Sequence, residues 1–164
     1  MMFARDDAFL TTILKLLRSL PAYPMFGDGR TRLQPAYADD VAAAIAEVVR
    51  QSKKPYPIYE LAGPRIYSYE ELLRTVARSA GLHPVLMRMP FAFWHAAAGL
   101  AEVLPQPPLT RNQVELMQID TTASENRPGF RALGISPRSH EEELEAMLKH
   151  SKTQTQKTLI QGRG

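Results

Sequence analysis

Residues 7–20 are predicted to form a helix, because apolar side chains recur there at the i, i+3, i+4 and i+7 spacing of one core-facing stripe. The apolar positions are Leu10, Ile13, Leu14 and Leu17. Pro21 ends this helix, since proline lacks the N–H that a helix interior requires. The segment 22–26 is then expected to be extended or turn-like. Its aromatic residues, Tyr23 and Phe26, are interpreted either as core residues or as the lining of a substrate pocket.

A tight turn is predicted at Gly27 and Gly29, because two glycines around Asp28 supply the positive φ that other residues avoid. A short extended segment follows from residue 32 to residue 37. This turn and strand lead directly into the next predicted helix.

That helix is predicted to begin at Asp39 or Asp40, and Asp40 is taken as the residue that caps its N-terminus. The other carboxylate is expected to be solvated. The apolar positions of the helix are Val41, Ile45, Val48 and Val49. We expect the segment 27–50 to be the element around which the rest of the chain packs.

Three later helices begin with a capping box, in which a serine or threonine side chain and a glutamate or glutamine three residues on each bind the other's backbone N–H. The pairs are Ser68 with Glu71, Thr110 with Gln113, and Ser139 with Glu142. The apolar positions of the first of these helices are Leu72, Leu73, Val76 and Ala77. Gly81 is placed to end it.

Two short strands are predicted, a buried one at residues 58–61 and another at residues 85–89. Pro90 suits the first turn of a following helix, which runs to about residue 103. This helix is rich in aromatic residues, namely Phe91, Phe93 and Trp94. It therefore either buries much apolar area or presents that area to a partner.

Composition is consistent with one domain and a tail. The chain has 164 residues and 45% apolar content, which suits a single domain over residues 1–149. Residues 150–164 lack apolar periodicity and are predicted to be disordered.

The absence of cysteine excludes disulfides, cysteine-ligated zinc and a thiol nucleophile. The net charge is +3 without a basic stripe, so no nucleic-acid partner is predicted, and no apolar run approaches the roughly 20 residues of a membrane span.

The pattern G-x-G-x-x-R, an extended run and then Y-A-D-D-V-A resembles the substrate-domain half of the extended and atypical short-chain dehydrogenases/reductases. The likeness continues in YELAGPRIYSYEELLRTVARSA at residues 59–80. The segment PPLTRNQVELMQIDTTAS, residues 107–124, is most similar to the branch that contains the nucleotide-binding accessory subunit of respiratory complex I and its bacterial relatives. The resemblance implies an α/β chain, the C-terminal part of an NAD(P)-binding Rossmann-like fold, helix-rich with a few short strands.

By this resemblance Arg32 binds an anionic group of a substrate, a role suited to a planar guanidinium with several donors. The alternative is a surface arginine that pairs with Asp28, Asp39 or Glu47. Arg111 is a second anion-binding candidate, although it is equally an ordinary first-turn helix residue. The four histidines lack the spacing of a zinc site, so no metal is predicted.

The glycine-rich dinucleotide fingerprint and the Tyr-x-x-x-Lys catalytic pair of the family do not occur in this sequence. We therefore expect no catalytic residue and no cofactor bound by this chain alone, and NAD(P)(H) is implied for a longer parent protein. The apolar faces of the helices at residues 7–20 and 41–50 would then need cover from the missing N-terminal Rossmann half or from a homodimer partner.

Three functions stay open. The first is an accessory or assembly factor of respiratory complex I. The second is the substrate half of an active NAD(P)-dependent epimerase or reductase that acts on a nucleotide-linked or isoprenoid-like substrate. The third is a helical interaction domain whose partner face is the aromatic helix after Pro90. The resemblance implies a cytoplasmic protein, or one at the periphery of the inner membrane, on the matrix side in a mitochondrion.

Overall fold

A computed structural model of the chain describes residues 2–4, 8–51, 57–103, 105 and 109–144. The α-helices within these residues are α1 (Ala8–Ser19), α2 (Ala38–Gln51), α3 (Tyr69–Ser79), α4 (Phe91–Ala101) and α5 (Arg111–Leu116), and a 3₁₀ helix covers Phe130–Leu133. The strands are β1 (Met2–Phe3), β2 (Ala22–Phe26), β3 (Arg32–Leu33), β4 (Ala36–Tyr37), β5 (Tyr67–Ser68) and β6 (Val85–Met89). A further helical turn occupies residues 140–144. The predicted tail, residues 150–164, lies outside the described residues.

The strands form three two-stranded pairs. β1 pairs with β4 and β2 with β6, both parallel, while β3 and β5 are antiparallel. The β2–β6 pair is the longest and runs in register from Ala22 opposite Val85 to Phe26 opposite Met89. The predicted strand at residues 85–89 is therefore confirmed, and the segment 22–26, expected to be extended or turn-like, is a strand. The shared end of the pair leads β2 into the glycine turn and β6 into α4.

The main core lies where α1, α3 and β2 pack together. α1 contributes Leu10, Ile13 and Leu17, which are all buried, so the predicted stripe is confirmed. The four predicted positions of α3 are likewise buried. The expectation that α1 needs cover from outside this chain is wrong, because α3 and β2 cover its apolar stripe.

α2 belongs to a smaller second cluster and is not the element around which the chain packs. Its contact side is formed by the buried Ala44 and by the partly buried Val41 and Val48, which pack near Phe130 and Leu133. Alanine presents little apolar area, whereas Ile45 and Val49 are 57% and 70% exposed. α3 has six buried residues and α2 only two, so the predicted central role belongs to α3 instead.

The predicted helix caps at serine and threonine are present. Ser68 Oγ accepts the N–H of Glu71, and the Glu71 carboxylate accepts the Ser68 N–H at 2.8 Å. Thr110 and Gln113 make the same reciprocal pair. Ser139 Oγ accepts the N–H three residues later at 3.2 Å. Each cap provides an acceptor for a backbone N–H that has no partner within the helix. Such a cap stabilises the helix by about 1 kcal/mol.

Asp40 does not cap α2, contrary to the prediction. The helix begins at Ala38, so Asp39 and Asp40 both lie inside its first turn. The Asp40 side chain is buried and accepts hydrogen bonds from Arg138. A nonlocal partner has therefore replaced the local bond to the helix N-terminus that was expected from the sequence.

The strand predicted at residues 58–61 is also not formed. Ile58 is 63% exposed, and the segment has no regular secondary structure. The N–H of Glu60 donates to the carbonyl of Pro128, and its carboxylate accepts two hydrogen bonds from Ser124. The segment is thus docked on the loop at residues 124–128 rather than paired in a sheet.

Candidate functional site

The predicted glycine turn connects β2 to the N-terminal ends of two helices. Gly27 and Gly29 both have positive φ, of +60° and +77°. A Cβ atom at Gly27 would collide with the ring of Phe91, the first residue of α4. The carbonyl of Gly29 accepts the N–H of Glu70 in the first turn of α3, at 3.0 Å. The turn is therefore held between α3 and α4.

Arg32 opens β3 directly after this turn, and its backbone is fixed on both sides. Its N–H donates to Asp120 Oδ1 at 2.8 Å, and its carbonyl accepts the N–H of Thr121 at 2.8 Å. The preceding residue, Thr31, donates its hydroxyl hydrogen to the carbonyl of Met117 at 2.7 Å. The segment 117–121 therefore sets the position of Arg32.

The Arg32 guanidinium is exposed and pairs with none of the three carboxylates suggested by the sequence. Each of these carboxylates has another arginine partner among the described residues. The pairs are Asp28 with Arg30 at 3.4 Å, Glu47 with Arg50 at 2.8 Å, and Asp39 with Arg138 at 3.8 Å. Arg32 is thus a surface arginine, as the alternative supposed, but without the ion pair suggested for it, and its anion-binding role stays a prediction.

Tyr23 is a buried core residue in β2. Its hydroxyl oxygen lies 3.2 Å from that of Tyr69, the first residue of α3. Burial raises the pKa of the Tyr23 hydroxyl, and the hydrogen bond to Tyr69 offsets this only in part. The pKa of Tyr69 is raised further, first by burial and then by Tyr23. Both hydroxyls are therefore neutral partners within the core.

Phe26 lies at the end of β2 and packs against α4. Its ring centroid is 4.4 Å from that of Trp94 and 6.0 Å from that of Tyr69. The indole N–H of Trp94 donates to the carbonyl of Met25 at 3.1 Å. Phe26 is half-buried in this arrangement, so its main contribution is to join α4 to the β2–β6 pair.

Arg111 is the first residue of α5 and connects that helix to the end of α4. Its N–H donates to Glu102 Oε1 at 2.8 Å, and its Nε lies 3.5 Å from Glu102 Oε2. The guanidinium also lies against Gly99, where a Cβ atom would be 2.7 Å from Nη2. Because a carboxylate already neutralises this guanidinium, its observed contacts are structural.

The segment 117–120 contributes residues that sequence reasoning missed. Gln118 Nε2 lies 2.8 Å from His95 Nε2 of α4, and Asp120 fixes the backbone of Arg32. The structure thus brings Arg32 and α4 to the same short segment. The only sequence signal for these residues was their position in the segment 107–124 that carried the resemblance.

Arg138 is a second residue that sequence reasoning missed. Its guanidinium lies 2.8 Å from Asp40 Oδ1 and 3.0 Å from Glu143 Oε1, and its Cζ lies 4.1 Å from the ring centroid of Tyr37. Partial burial acts to lower the pKa of Arg138, but hydrogen bonds and charge from Asp40 and Glu143 outweigh it and raise the pKa. The cluster fastens the start of α2 to the helical turn at residues 140–144.

The glycine turn does not fit a dinucleotide phosphate. A phosphate cradle needs free backbone N–H groups at a helix N-terminus. Here the N–H of Gly27 donates to the carbonyl of Met89, and that of Gly29 donates to the carbonyl of Phe26. The Phe91 ring also occupies the space beside the turn. The N–H groups of both glycines are therefore used within the fold and are not free for a cofactor.

Two surface depressions, of about 400 and 390 Å³, lie along the exposed side of α3, and Arg32 lines neither. In the part of the chain that the structure describes, no three His, Asp or Glu side chains are grouped to hold a metal ion. No helix within the same residues has the length and apolar character needed to cross a membrane.

The sequence matches no family model. It is 27% identical over 146 residues to subunit 9 of the NADH dehydrogenase [ubiquinone] 1 alpha subcomplex, a mitochondrial protein of Arabidopsis thaliana. The match covers 83% of this chain and 36% of that protein. The chain therefore spans about a third of the length of this curated relative.

Two solved structures share the fold at low sequence identity. An NADPH-dependent quinone oxidoreductase of Escherichia coli, solved with NADPH, matches 86% of this chain and 50% of its own, with a TM-score of 0.64 and 16% identity. A nucleoside-diphosphate-sugar epimerase of Staphylococcus aureus matches 88% of this chain and 50% of its own, with a TM-score of 0.60 and 14% identity. The expected α/β, Rossmann-like fold is confirmed. The chain is thus similar in sequence to a subunit of plant NADH dehydrogenase and similar in fold to half of an NAD(P)-binding, short-chain dehydrogenase/reductase-like protein.

Proposed function

We propose that this chain is the substrate-domain portion of an NAD(P)-binding protein that serves as an accessory or assembly subunit of respiratory complex I. The observation that carries the proposal is the similarity to the Arabidopsis NADH dehydrogenase subunit over 83% of the chain. The parent protein would bind NAD(P)(H) through residues outside this chain. It would lie at the periphery of the inner membrane, on the matrix side in a mitochondrion.

The use of the predicted site residues supports a structural role over a catalytic one. Tyr23 is buried in the core, Phe26 packs on Trp94, and Arg111 pairs with Glu102. Three of the four residues suggested for substrate binding therefore already stabilise the fold. A subunit whose task is to hold others in place needs such contacts and no reactive group.

Affinity purification from the source organism tests this proposal. The tagged chain is expressed there, and the eluate is assayed for NADH:ubiquinone oxidoreductase activity. We expect activity and other complex I subunits to elute with the chain. A tagged protein of similar size and charge serves as the control. Elution of the chain without activity above this control would overturn the proposal.

A second candidate, the substrate half of an NAD(P)-dependent epimerase or reductase, is favoured by Arg32. Its exposed guanidinium has no acidic partner among the described residues and is free to bind an anion. Calorimetric titration with a nucleoside diphosphate sugar tests this candidate. Binding that is at least tenfold weaker in Arg32→Ala, and unchanged in Arg30→Ala, would support it, and no heat with the wild-type chain would exclude it.

A further inference from the structure

Arg32 lies in a short strand that is paired on both sides. On one side β3 pairs with β5, so that Arg32 is opposite Ser68. On the other side Leu33 forms a parallel bridge with Thr121. The carbonyl of Arg32 accepts the N–H of Thr121 at 2.8 Å, and the N–H of Gln34 donates to the carbonyl of Thr121 at 3.1 Å. The backbone around Arg32 is therefore held between two other segments of the chain.

Asp120 contributes one hydrogen bond of this pairing through its side chain. Hydrogen bonds of a parallel pair recur at every second residue, so the N–H of Arg32 would ordinarily donate to the carbonyl of Ile119. It donates instead to Asp120 Oδ1 at 2.8 Å. A hydrogen bond to a carboxylate is stronger than one to a carbonyl, because the charge assists it. The position of the Arg32 backbone therefore depends on a single side chain, 88 residues further along the chain.

Asp120 holds the backbone of Arg32 without neutralising its side chain. Among the residues that the structure describes, the Arg32 guanidinium forms no ion pair, and Arg32 is exposed. Arg30 differs, because Asp28 binds it twice. The Arg30 N–H donates to Asp28 Oδ1 at 3.1 Å, and the Arg30 Nε lies 3.4 Å from Asp28 Oδ2. Of these two arginines, Arg32 therefore has the charge that is available to a ligand.

A fixed backbone favours anion binding by an exposed arginine. The side chain has many rotamers, and part of this freedom is lost when the guanidinium binds a ligand. A mobile backbone would add to that loss, whereas a backbone that is already in place reduces it. The hydrogen bond from Arg32 to Asp120 therefore lowers the entropic cost of placing the guanidinium on an anion.

We propose that Asp120 is a positioning residue for Arg32, which it orients for binding the phosphate group of a substrate. The inference rests on the second candidate function, in which Arg32 binds that group. Asp120 acts through Arg32 and has two effects of opposite sign. Its negative charge repels an anion, and its acceptor oxygen holds the arginine in place. Because Asp120 and Arg32 are both exposed, water screens the repulsion, and the positioning effect is the larger one.

Calorimetric titration of the full chain with UDP-glucose tests this inference in the variants Asp120→Ala and Asp120→Asn. Asparagine keeps an acceptor oxygen for the Arg32 N–H and removes the charge, whereas alanine removes both. We expect a Kd raised about fivefold or more by Asp120→Ala and changed less than about twofold by Asp120→Asn. Asp28→Ala, which removes the corresponding bond from Arg30, is the control and should not weaken binding. Circular dichroism verifies that each variant folds.

A double-mutant cycle separates positioning from a general structural effect. In the Arg32→Ala background, Asp120→Ala should change the Kd by less than about twofold, because no guanidinium is left to position. An equal loss in both backgrounds would overturn the inference.

The remaining outcomes distinguish this inference from the function on which it rests. Unchanged or tighter binding by Asp120→Ala would overturn the positioning role and leave the second candidate function intact. A fivefold loss in Asp120→Asn would also overturn it, since the acceptor oxygen is still present, and this variant decides the question even if Asp120→Ala does not fold. If the wild type binds no UDP-glucose, the second candidate function and this inference both fail.

Discussion

Arg138 binds Asp40 from 98 residues further along the chain. The backbone N–H of Arg138 donates to Asp40 Oδ2, and its guanidinium Nε donates to Oδ1, both at 2.8 Å. Asp40 is only 6% exposed, and Glu143, a second buried carboxylate that Arg138 binds, is 8% exposed. One guanidinium therefore compensates two buried carboxylates, and removing it would leave both without their counter-charge.

We predict that Arg138→Ala lowers the free energy of unfolding by about 3 kcal/mol, because breaking a buried ion pair leaves uncompensated charge in the interior. The value is at the low end for buried pairs because the arginine side chain is itself 38% exposed. Urea denaturation followed by circular dichroism measures the change. Arg30→Ala, which removes a surface pair with Asp28, should cost less than about 1 kcal/mol. Equal effects of the two substitutions would contradict the prediction.

The buried tyrosines make stability fall at alkaline pH. Burial raises the pKa of Tyr23, Tyr67 and Tyr69 above the ordinary value of 10.0. The unfolded chain therefore loses phenol protons at a lower pH than the folded chain. The stability that depends on these three neutral tyrosines is fully present below pH 10. The free energy of unfolding then decreases as the pH rises above 10.

We accordingly predict that tyrosinate absorbance at 295 nm, from these three residues, appears only together with the loss of the circular dichroism signal of the helices. Complete ionisation of Tyr23, Tyr67 and Tyr69 near pH 10, with the helical signal intact, would contradict the prediction. Tyr23→Phe should reduce the slope of stability against pH above pH 10, since one of the shifted groups is removed.

Gly27→Ala is predicted to destabilise the chain more than Gly134→Ala. Both glycines have positive φ, of +60° and +72°, where an alanine costs about 1–2 kcal/mol of backbone strain. At Gly27 the added methyl group would also collide with Phe91, whereas nothing lies within 4 Å of a Cβ atom at Gly134. Thermal unfolding should therefore show the larger decrease in Tm for Gly27→Ala. A similar decrease for both would show that Phe91 moves aside without cost.

The chain alone is predicted not to bind NADH or NADPH. The N–H groups of Gly27 and Gly29 are used within the fold, and the sequence has no other glycine-rich turn of the dinucleotide type. Isothermal titration calorimetry with each nucleotide should give no binding heat. A protein known to bind NADPH serves as the positive control. Micromolar affinity for either nucleotide would contradict this prediction.

Local features were predictable from the sequence. The capping boxes at Ser68 and Thr110 need only residues three positions apart, and both are present. The stripes of α1 and α3 follow from periodicity within a single helix, and both are buried. Such signals lie within one element, so they do not depend on where the rest of the chain packs.

Nonlocal features were not predictable in this way. The sequence predicts Asp40 as a cap because aspartate favours that position, but its partner Arg138 lies 98 residues further on. The strand predicted at residues 58–61 likewise fails where Glu60 binds Ser124, 64 residues away. The exposure of Ile45 and Val49 likewise depends on what packs beside α2. Each of these errors depends on tertiary packing, which a local pattern does not contain.

Gly99 has a consequence for how closely α4 and α5 approach each other. The Arg111 guanidinium lies against this glycine and binds Glu102 beyond it, so the two helices meet at a point where no side chain intervenes. Any other residue at position 99 would place its Cβ atom 2.7 Å from Nη2 of Arg111. Such a residue would either separate the two helices or displace the arginine from Glu102.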